Sequence, residues 1–295
     1  MSLYVWKRKA LPLFLTLILT GGLTACGQGD PKTEAAPAPE PATLEQVQED
    51  PFAAYFDLSG LTQETLDKAR QVIGQESANE GVTVEVKQTI GDGQTLYIAF
   101  DLIYPQGTDL SDQALAEATD PSTYTIMDLT LAKGAVTDPA QAQEIPYASR
   151  GCQALQSGDN TLSCIMDFQA KEGSLTGQEV SLIISNEALR GSSHVITWTV
   201  ENQAVARQAE LLAADGQGMG QAVLTPFALS IRLNSQGIDP NDPDQVRLLD
   251  ADGQPIEGNW ACSGGERQLD GTLYAPVEPS AVTSIQAGPF TGTFQ

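Results

Sequence analysis

Beyond position 80 the chain alternates apolar and polar residues with a period of two. Val82, Val84 and Val86 alternate with Thr83, Glu85 and Lys87, the signature of a half-buried strand. Gly91-Asp92-Gly93-Gln94 predicts a tight turn, and Thr95 to Ile103 a returning strand that ends at Tyr104-Pro105, because proline lacks a ladder donor. Further strands are predicted at Tyr124 to Leu131, Leu162 to Ala170, Val180 to Ser185 and Ser193 to Glu201, with Lys171-Glu172-Gly173 and Arg190-Gly191-Ser192 as turns. A second series opens at Gln221 to Leu233, where Pro226 predicts an edge strand, a bend or a strand that changes sheet. It continues through Val246 to Asp250, the turn Ala251-Asp252-Gly253, Gln254 to Ile256, Thr272 to Tyr274 and Thr283 to Ala287. One stretch has a helical period: Leu61, Leu66, Ala69, Val72 and Ile73, opened by Thr62 with Thr62-Gln63-Glu64-Thr65 as first turn and Gly74 as stop. The fold class predicted is all-β: two immunoglobulin-like β-sandwich domains in tandem, with a short N-terminal helix. Trp198 is expected to fill the first core.

Stretches outside this pattern set the boundaries. Gln106 to Ser122 is polar and acidic and is expected to be a solvated insertion. Asn202 to Gly220 is rich in Ala, Gln and Gly and is expected to connect the domains. Its glycines, Gly216, Gly218 and Gly220, lack the strand-then-helix setting of a dinucleotide fingerprint. At the start, Lys7, Arg8 and Lys9 precede the apolar run Ala10 to Leu19 and the small residues Thr20-Gly21-Gly22, the layout of a secretory signal. The run is shorter than the roughly 20 apolar residues of a membrane-spanning helix. Leu23-Thr24-Ala25-Cys26 resembles the bacterial lipobox, which implies lipidation (palmitate) of the Cys26 sulfur and cleavage before it. Gly27 to Asp50, with Pro37, Pro39 and Pro41 among alanines and acids, cannot bury enough surface to offset its ordering entropy and reads as a disordered tether. The predicted layout is therefore residues 1–25 signal peptide, 26–50 tether, 51–205 first sandwich with the helix, and 206–295 second sandwich.

Charge narrows the partners. The chain carries 15 basic and 38 acidic side chains, a formal net charge of −23 at pH 7. Lys7, Arg8 and Lys9 lie in the leader, so the mature chain is more acidic still. Such a surface repels phosphate backbones and anionic head groups, which argues against nucleic acid and holds the folded part off the membrane that carries its lipid.

Candidate chemistry is sparse. With Cys26 lipidated, Cys152, Cys164 and Cys262 remain, and thiols outside the cytoplasm tend to pair. Cys152 and Cys164 flank the turn Ser157-Gly158-Asp159-Asn160, so a hairpin predicts a disulfide between them and leaves Cys262 over. A competing pairing joins Cys262 to one of the other two, and spacing alone leaves both open. The single histidine, His194, lies in the strand-like run to Val200 with no sign of a triad. Asp239-Pro240-Asn241-Asp242-Pro243-Asp244 gathers hard oxygen ligands. Counted from Asp239, however, Asp244 stands where an EF-hand loop needs Gly and Asp250 where it needs Glu, so a solvated loop is the better reading. No catalytic residue, metal ligand or cofactor is predicted.

In order along the chain, the Phe52 to Gly74 region, Asn79-Glu80-Gly81-Val82-Thr83-Val84-Glu85-Val86, Gly91-Asp92-Gly93-Gln94-Thr95-Leu96-Tyr97-Ile98, Ile196-Thr197-Trp198-Thr199-Val200 and Leu224-Thr225-Pro226-Phe227 resemble an uncharacterised ectodomain family of Gram-positive bacteria. That family is found in anti-sigma-factor-like membrane proteins. The resemblance implies two immunoglobulin-like sandwiches from Pro51 to the C-terminus and brings no catalytic residues. Such relatives carry a cytosolic segment and a membrane-spanning helix ahead of this region, where this chain has the Cys26 motif.

Together these readings predict a lipoprotein of the cell membrane's extracytoplasmic face. It would recognise a protein or envelope polymer, or sense the envelope, without catalysis. The competing classes are an accessory envelope enzyme, a calcium-dependent module using the acidic loop, and a passive spacer.

Overall fold

A computed structural model describes residues 50–53, 55–108, 128–185, 193–203, 205–239, 242, 245–256, 260–265, 267–273 and 275–295, apart from the side chains of 128, 154–157 and 260–263. The leader, Cys26, the tether up to residue 49 and most of the predicted insertion lie outside these residues.

The first module is built on alternation. Strands β1 (Arg70–Asn79), β2 (Val82–Gly91), β3 (Thr95–Ile103), β6 (Thr161–Ala170) and β5 (Tyr147–Gly158) form an antiparallel sheet in that order. Strands β4 (Asp128–Lys133), β7 (Glu179–Ser185) and β8 (Ser193–Thr199) form a second sheet. Val82, Val84 and Val86, Leu96 to Leu102 on alternate positions, Leu162 to Phe168, and Leu182, Ile184, Ile196 and Trp198 enclose one core. Trp198 lies in that core as expected.

The edge strands β1 and β8 are joined by side chains. Gln71 donates to the Thr199 carbonyl at 2.8 Å and accepts from the Glu201 N–H at 2.9 Å. Asn79 donates to the Ser193 carbonyl at 3.3 Å, and His194 Nδ1 donates to the Ser77 carbonyl at 2.9 Å. These rungs occupy an edge that would otherwise present unpaired backbone groups.

The helix is shorter than its apolar spacing predicts. α1 (Gln63–Ala69) starts one residue after the expected Thr62, which is its N-cap, and β1 follows at Arg70 without a loop. Val72 and Ile73 are therefore strand residues, and Gly74, with φ +60°, sits where the register of β1 slips against β2. The expected stop is a bulge.

Residues 202–220 do not form a loose connection. Strands β9 (Arg207–Leu212) and β10 (Gly218–Leu224) pair as a hairpin, and β11 (Ala228–Leu233) follows after a turn at Thr225-Pro226-Phe227. Pro226 thus marks a turn between two strands rather than a bend within one. With β12 (Val246–Leu249), β13 (Trp260–Gly265), β14 (Gln268–Leu273), β15 (Ser284–Ala287) and β16 (Phe290–Thr293) they make one antiparallel sheet, ordered β12-β15-β16-β9-β10-β11-β14-β13. Among the described residues, β16 meets β9 only at Thr291 opposite Leu212, with a bridge between Ala209 and Phe294. The sheet turns there, and both its arms contribute to one core around Leu211, Leu224, Ile231, Leu248, Leu269 and Ile285. The fold is all-β with sandwich packing.

A third cluster joins these parts. Phe52, Phe56, Leu61 and Ala69 cover Ile90, Tyr97 and Ala99 on the outer face of β2 and β3, and Phe227 reaches in from the β10–β11 turn. Phe56 stands edge-on to Tyr97 at 4.5 Å between centroids, and Phe227 lies 5.9 Å from Tyr97 and 6.2 Å from Phe56. Full burial of each such ring contributes about 1.5–3 kcal/mol. Asn202, also fully buried, donates to the Ala69 carbonyl at 2.5 Å and accepts from the Thr89 hydroxyl at 2.8 Å. Residues Gln48–Gln295 accordingly make one compact unit.

Candidate functional site

Two places in the described structure combine chemistry with access: a thiol pair in the first module and a polar hollow on the second.

The hairpin predicted around Asp159-Asn160 is present as β5 and β6. Its register places Cys152 opposite Met166 and Cys164 opposite Ala154. The two cysteines are therefore diagonal neighbours on the core-facing side, two positions out of register, where Cα atoms stand roughly 7–8 Å apart. Both stand as free thiols here, and the expected bridge between them would require the two strands to shift, since a disulfide spans Cα atoms roughly 4.4–6.8 Å apart. Cys164 is buried and Cys152 half-buried. The adjoining Cys152 thiol and then burial push the Cys164 thiol well above its usual range, and Asp101 adds to this. Burial, helped by Cys164, pushes the Tyr104 phenol up to about 12. This end of the core holds its acidic protons tightly.

The hollow arises from small residues in β10. Glu210, Gln221 and Arg232 stand side by side across β9, β10 and β11, with Gln221 opposite both of the others. Their neighbours Ala209, Leu211, Ala222, Ile231 and Leu233 point to the core, so this row lies on the open face. Next to it the register slips between Gly218 and Gly220. A Cβ on Gly220 would come within 2.1 Å of the Arg232 carbonyl oxygen, so only glycine permits this approach. The result is a space of about 280 Å³ lined by Glu210, Gly218, Gly220, Gln221, Arg232 and Asn234. Arg232 Nη1 donates to Asp270 at 2.7 Å and to the Ile231 carbonyl at 3.1 Å. The guanidinium is thereby held at the hollow in an ion pair with Asp270, and Glu210 lines the same space. Such a pair can hold a ligand that carries both a donor and an acceptor, or both charges.

A second hollow, about 540 Å³, runs along the N-terminal segment and is lined by Asp50, Ala53, Tyr55, Phe56, Asp57, Leu58 and Ser59. Asp57 there is held below the usual carboxylate range by the Ser59 hydroxyl and N–H.

The other residues singled out from sequence are placed as follows. Cys26 lies outside the described residues. Cys262 has its backbone in β13, opposite Gly271, and its side chain is not among those described. In the acidic loop, Pro240, Asn241, Pro243 and Asp244 lie outside the described residues, while the Asp242 N–H bonds the Asp239 carbonyl at 3.1 Å in a turn. The described residues include no group of three or more His, Cys, Asp or Glu side chains placed to hold a metal. Asp250 accepts the Asp252 and Gln254 N–H groups at 2.9 and 2.8 Å, which commits it to its turn. His194 is buried in the core with its Nδ1 used on Ser77.

Sequence reasoning missed the Glu210-Gln221-Arg232 row. The alternation of each with a buried neighbour was the signal that could have found it, hidden by the small-residue composition around Gly216 to Gly220.

No protein-family model matches the chain, and no curated protein matches it. Among solved structures, it is similar to a conserved domain protein from Bacillus anthracis, at 14% identity, covering 77% of this chain and 78% of that one, with a TM-score of 0.44. A likeness of that size carries no argument about function.

Proposed function

We propose that the chain is a bacterial cell-surface lipoprotein whose folded part is a non-catalytic recognition module, with the polar hollow on the second module as its contact face. The observation that carries this reading is the glycine-made hollow on the open face of this sheet, lined by Glu210 and by Arg232, whose guanidinium is held in place by Asp270. The leader pattern ending at Cys26 supports the location, and the acidic composition supports a body held away from the membrane. The partner fitting this chemistry is a protein or an envelope polymer bearing amine and carboxylate groups side by side, such as a peptide-crosslinked cell-wall polymer.

The test has two arms. Cys26→Ala should release the protein from the membrane fraction and abolish its labelling by fatty acid; retention of both would remove the lipoprotein reading. Cosedimentation of the protein with purified peptidoglycan, and its capture of surface proteins, should weaken at least tenfold for Glu210→Ala with Arg232→Ala at unchanged melting temperature. Undiminished binding by that double variant would move the contact face elsewhere.

A further inference from the structure

We propose that Cys152 and Cys164 form a thiol–disulfide exchange site, in which Cys152 captures a disulfide oxidant from solvent and Cys164 resolves it into a bridge between β5 and β6.

The order of events follows from access. Cys152 is half-buried at the edge of the core, whereas Cys164 is 1% exposed. An oxidant can therefore reach the first sulfur and not the second. Both side chains share the core-facing side, so each lies within reach of the other without a change of face. Cys164 is held as a thiol by its neighbour and by burial, which keeps it from reacting before Cys152 is modified. Modification removes the neighbouring thiol that is the largest cause of this effect.

The strand that must move is built to do so. A disulfide spans Cα atoms usually 4.4–6.8 Å apart, less than a diagonal pair provides, so the bridge draws β5 along or toward β6. β5 is the outermost strand of its sheet and has a ladder on one side only. Register slips between Tyr147 and Ser149 and between Gln156 and Gly158 bracket the segment that carries Cys152. A small shift of that segment is taken up at these two bulges, and no second ladder is broken.

The chemistry balances with an external disulfide, RS–SR, as oxidant. The Cys152 thiolate attacks one sulfur, the S–S bond breaks, and RSH leaves with the proton Cys152 gave up. Cys164, on losing its proton, attacks the Cys152 sulfur of the mixed disulfide and expels the second RSH, which takes that proton. Two protein thiols are oxidised by two electrons, and one disulfide is reduced to two thiols.

The test uses the full chain, purified reduced, exposed to oxidised glutathione, alkylated under acid quench and digested at Asp159, which separates the two cysteines. The expected product is a Cys152–Cys164 crosslinked peptide pair with no retained glutathione. Cys164→Ser should keep glutathione on Cys152, and Cys152→Ser should leave Cys164 unmodified in the folded protein. A bridge from either residue to Cys262, glutathione retained on wild-type Cys152, or no reaction in the folded protein would each overturn the proposal. The wild-type peptide map stands even if a serine variant fails to fold.

Discussion

Glu278 and Thr62 are 216 positions apart in the chain, yet the Glu278 carboxylate accepts the Thr62 backbone N–H at 2.9 Å. The same side chain accepts from the Ser280 hydroxyl at 2.9 Å and the Ser280 N–H at 3.3 Å. One carboxylate thus caps both α1 and the 3₁₀ turn Pro279–Ala281, tying the N-terminal helix to the second module.

Removing that carboxylate should therefore loosen two elements at once. Burial raises the Glu278 pKa, but the hydrogen bonds from Thr62, Thr65 and Ser280 outweigh it and leave the group below its ordinary value. Its contribution is then present above the ordinary glutamate pKa and is lost as pH falls through the lower, folded value. The site is open to solvent, so the effect is that of a cap rather than a buried charge. Glu278→Ala should cost about 1–2 kcal/mol in urea unfolding at pH 7, with the difference from wild type shrinking at acid pH.

Asp92 should behave in the opposite sense. Its carboxyl is buried and accepts from the Thr225 hydroxyl, from Thr95 N–H at 2.7 Å and from Gln94 N–H at 2.9 Å. Burial outweighs these bonds and raises its pKa. A raised carboxyl contributes most below the ordinary aspartate value and loses that contribution as pH rises through the folded value. Asp92→Asn keeps the acceptor for Thr95 and Gln94 and should equal or exceed wild-type stability at pH 7. The advantage should vanish near pH 4. Asp92→Ala strands these donors and should cost about 1–3 kcal/mol. Denaturation midpoints across pH 4–8 decide this.

His194 gives the acid side of the profile another slope. Burial lowers its pKa, although the Ser77 carbonyl acts to raise it. Its stability contribution is present above the unfolded value near 6.5 and is lost as pH falls through the lower, folded one. Wild type should therefore lose stability below about pH 6.5 relative to His194→Gln. Hydrogen exchange in β1 and β8 should rise first, because Ser77 and His194 link those strands. A wild type and variant with parallel pH profiles would contradict this.

Phe227→Ala tests the aromatic joint. Phe227 is fully buried between Phe56 and Tyr97, and such truncations cost about 3–5 kcal/mol. Because the ring is the second module's contribution to this cluster, calorimetry of the variant should resolve two transitions where wild type gives one.

The strands that face solvent on one side were legible from residues such as Val82, Val84 and Val86, because burial on one face imposes the alternation directly. The start of the helix at Thr62 was legible to within one residue, because the polar first turn and the apolar spacing after it are local. Val72 and Ile73 misled because a spacing of three and four from Ala69 suits a helix, while nothing in the sequence records that β1 begins at Arg70. Tyr147 to Gly158, with its glycines, serines and glutamines, gives little apolar pattern, since β5 is an edge strand and its core side is short of bulky groups. At the site level, the cysteine hairpin was readable from its turn, but the register that puts Cys152 beside Cys164 diagonally depends on the slip between Gln156 and Gly158, which has no residue signature. Asn202, Asp92 and Glu278 draw on partners 113 to 216 positions away, and such pairings leave no trace in local composition.

The aromatic joint also determines how the fold would respond to a pull. Asp50 pairs with Arg70 at the head of β1, and Phe52, two residues on, is buried in the cluster that holds both modules. Tension arriving along the preceding chain meets this wedge before it meets any sheet. The wedge is held by side-chain packing and one ion pair rather than by a ladder of backbone bonds, so it would yield at lower force than strands loaded in shear. Extraction of residues 50 to 61 would uncover Tyr97, Ile90 and Phe227, so this short segment is the cover of the joint between the modules.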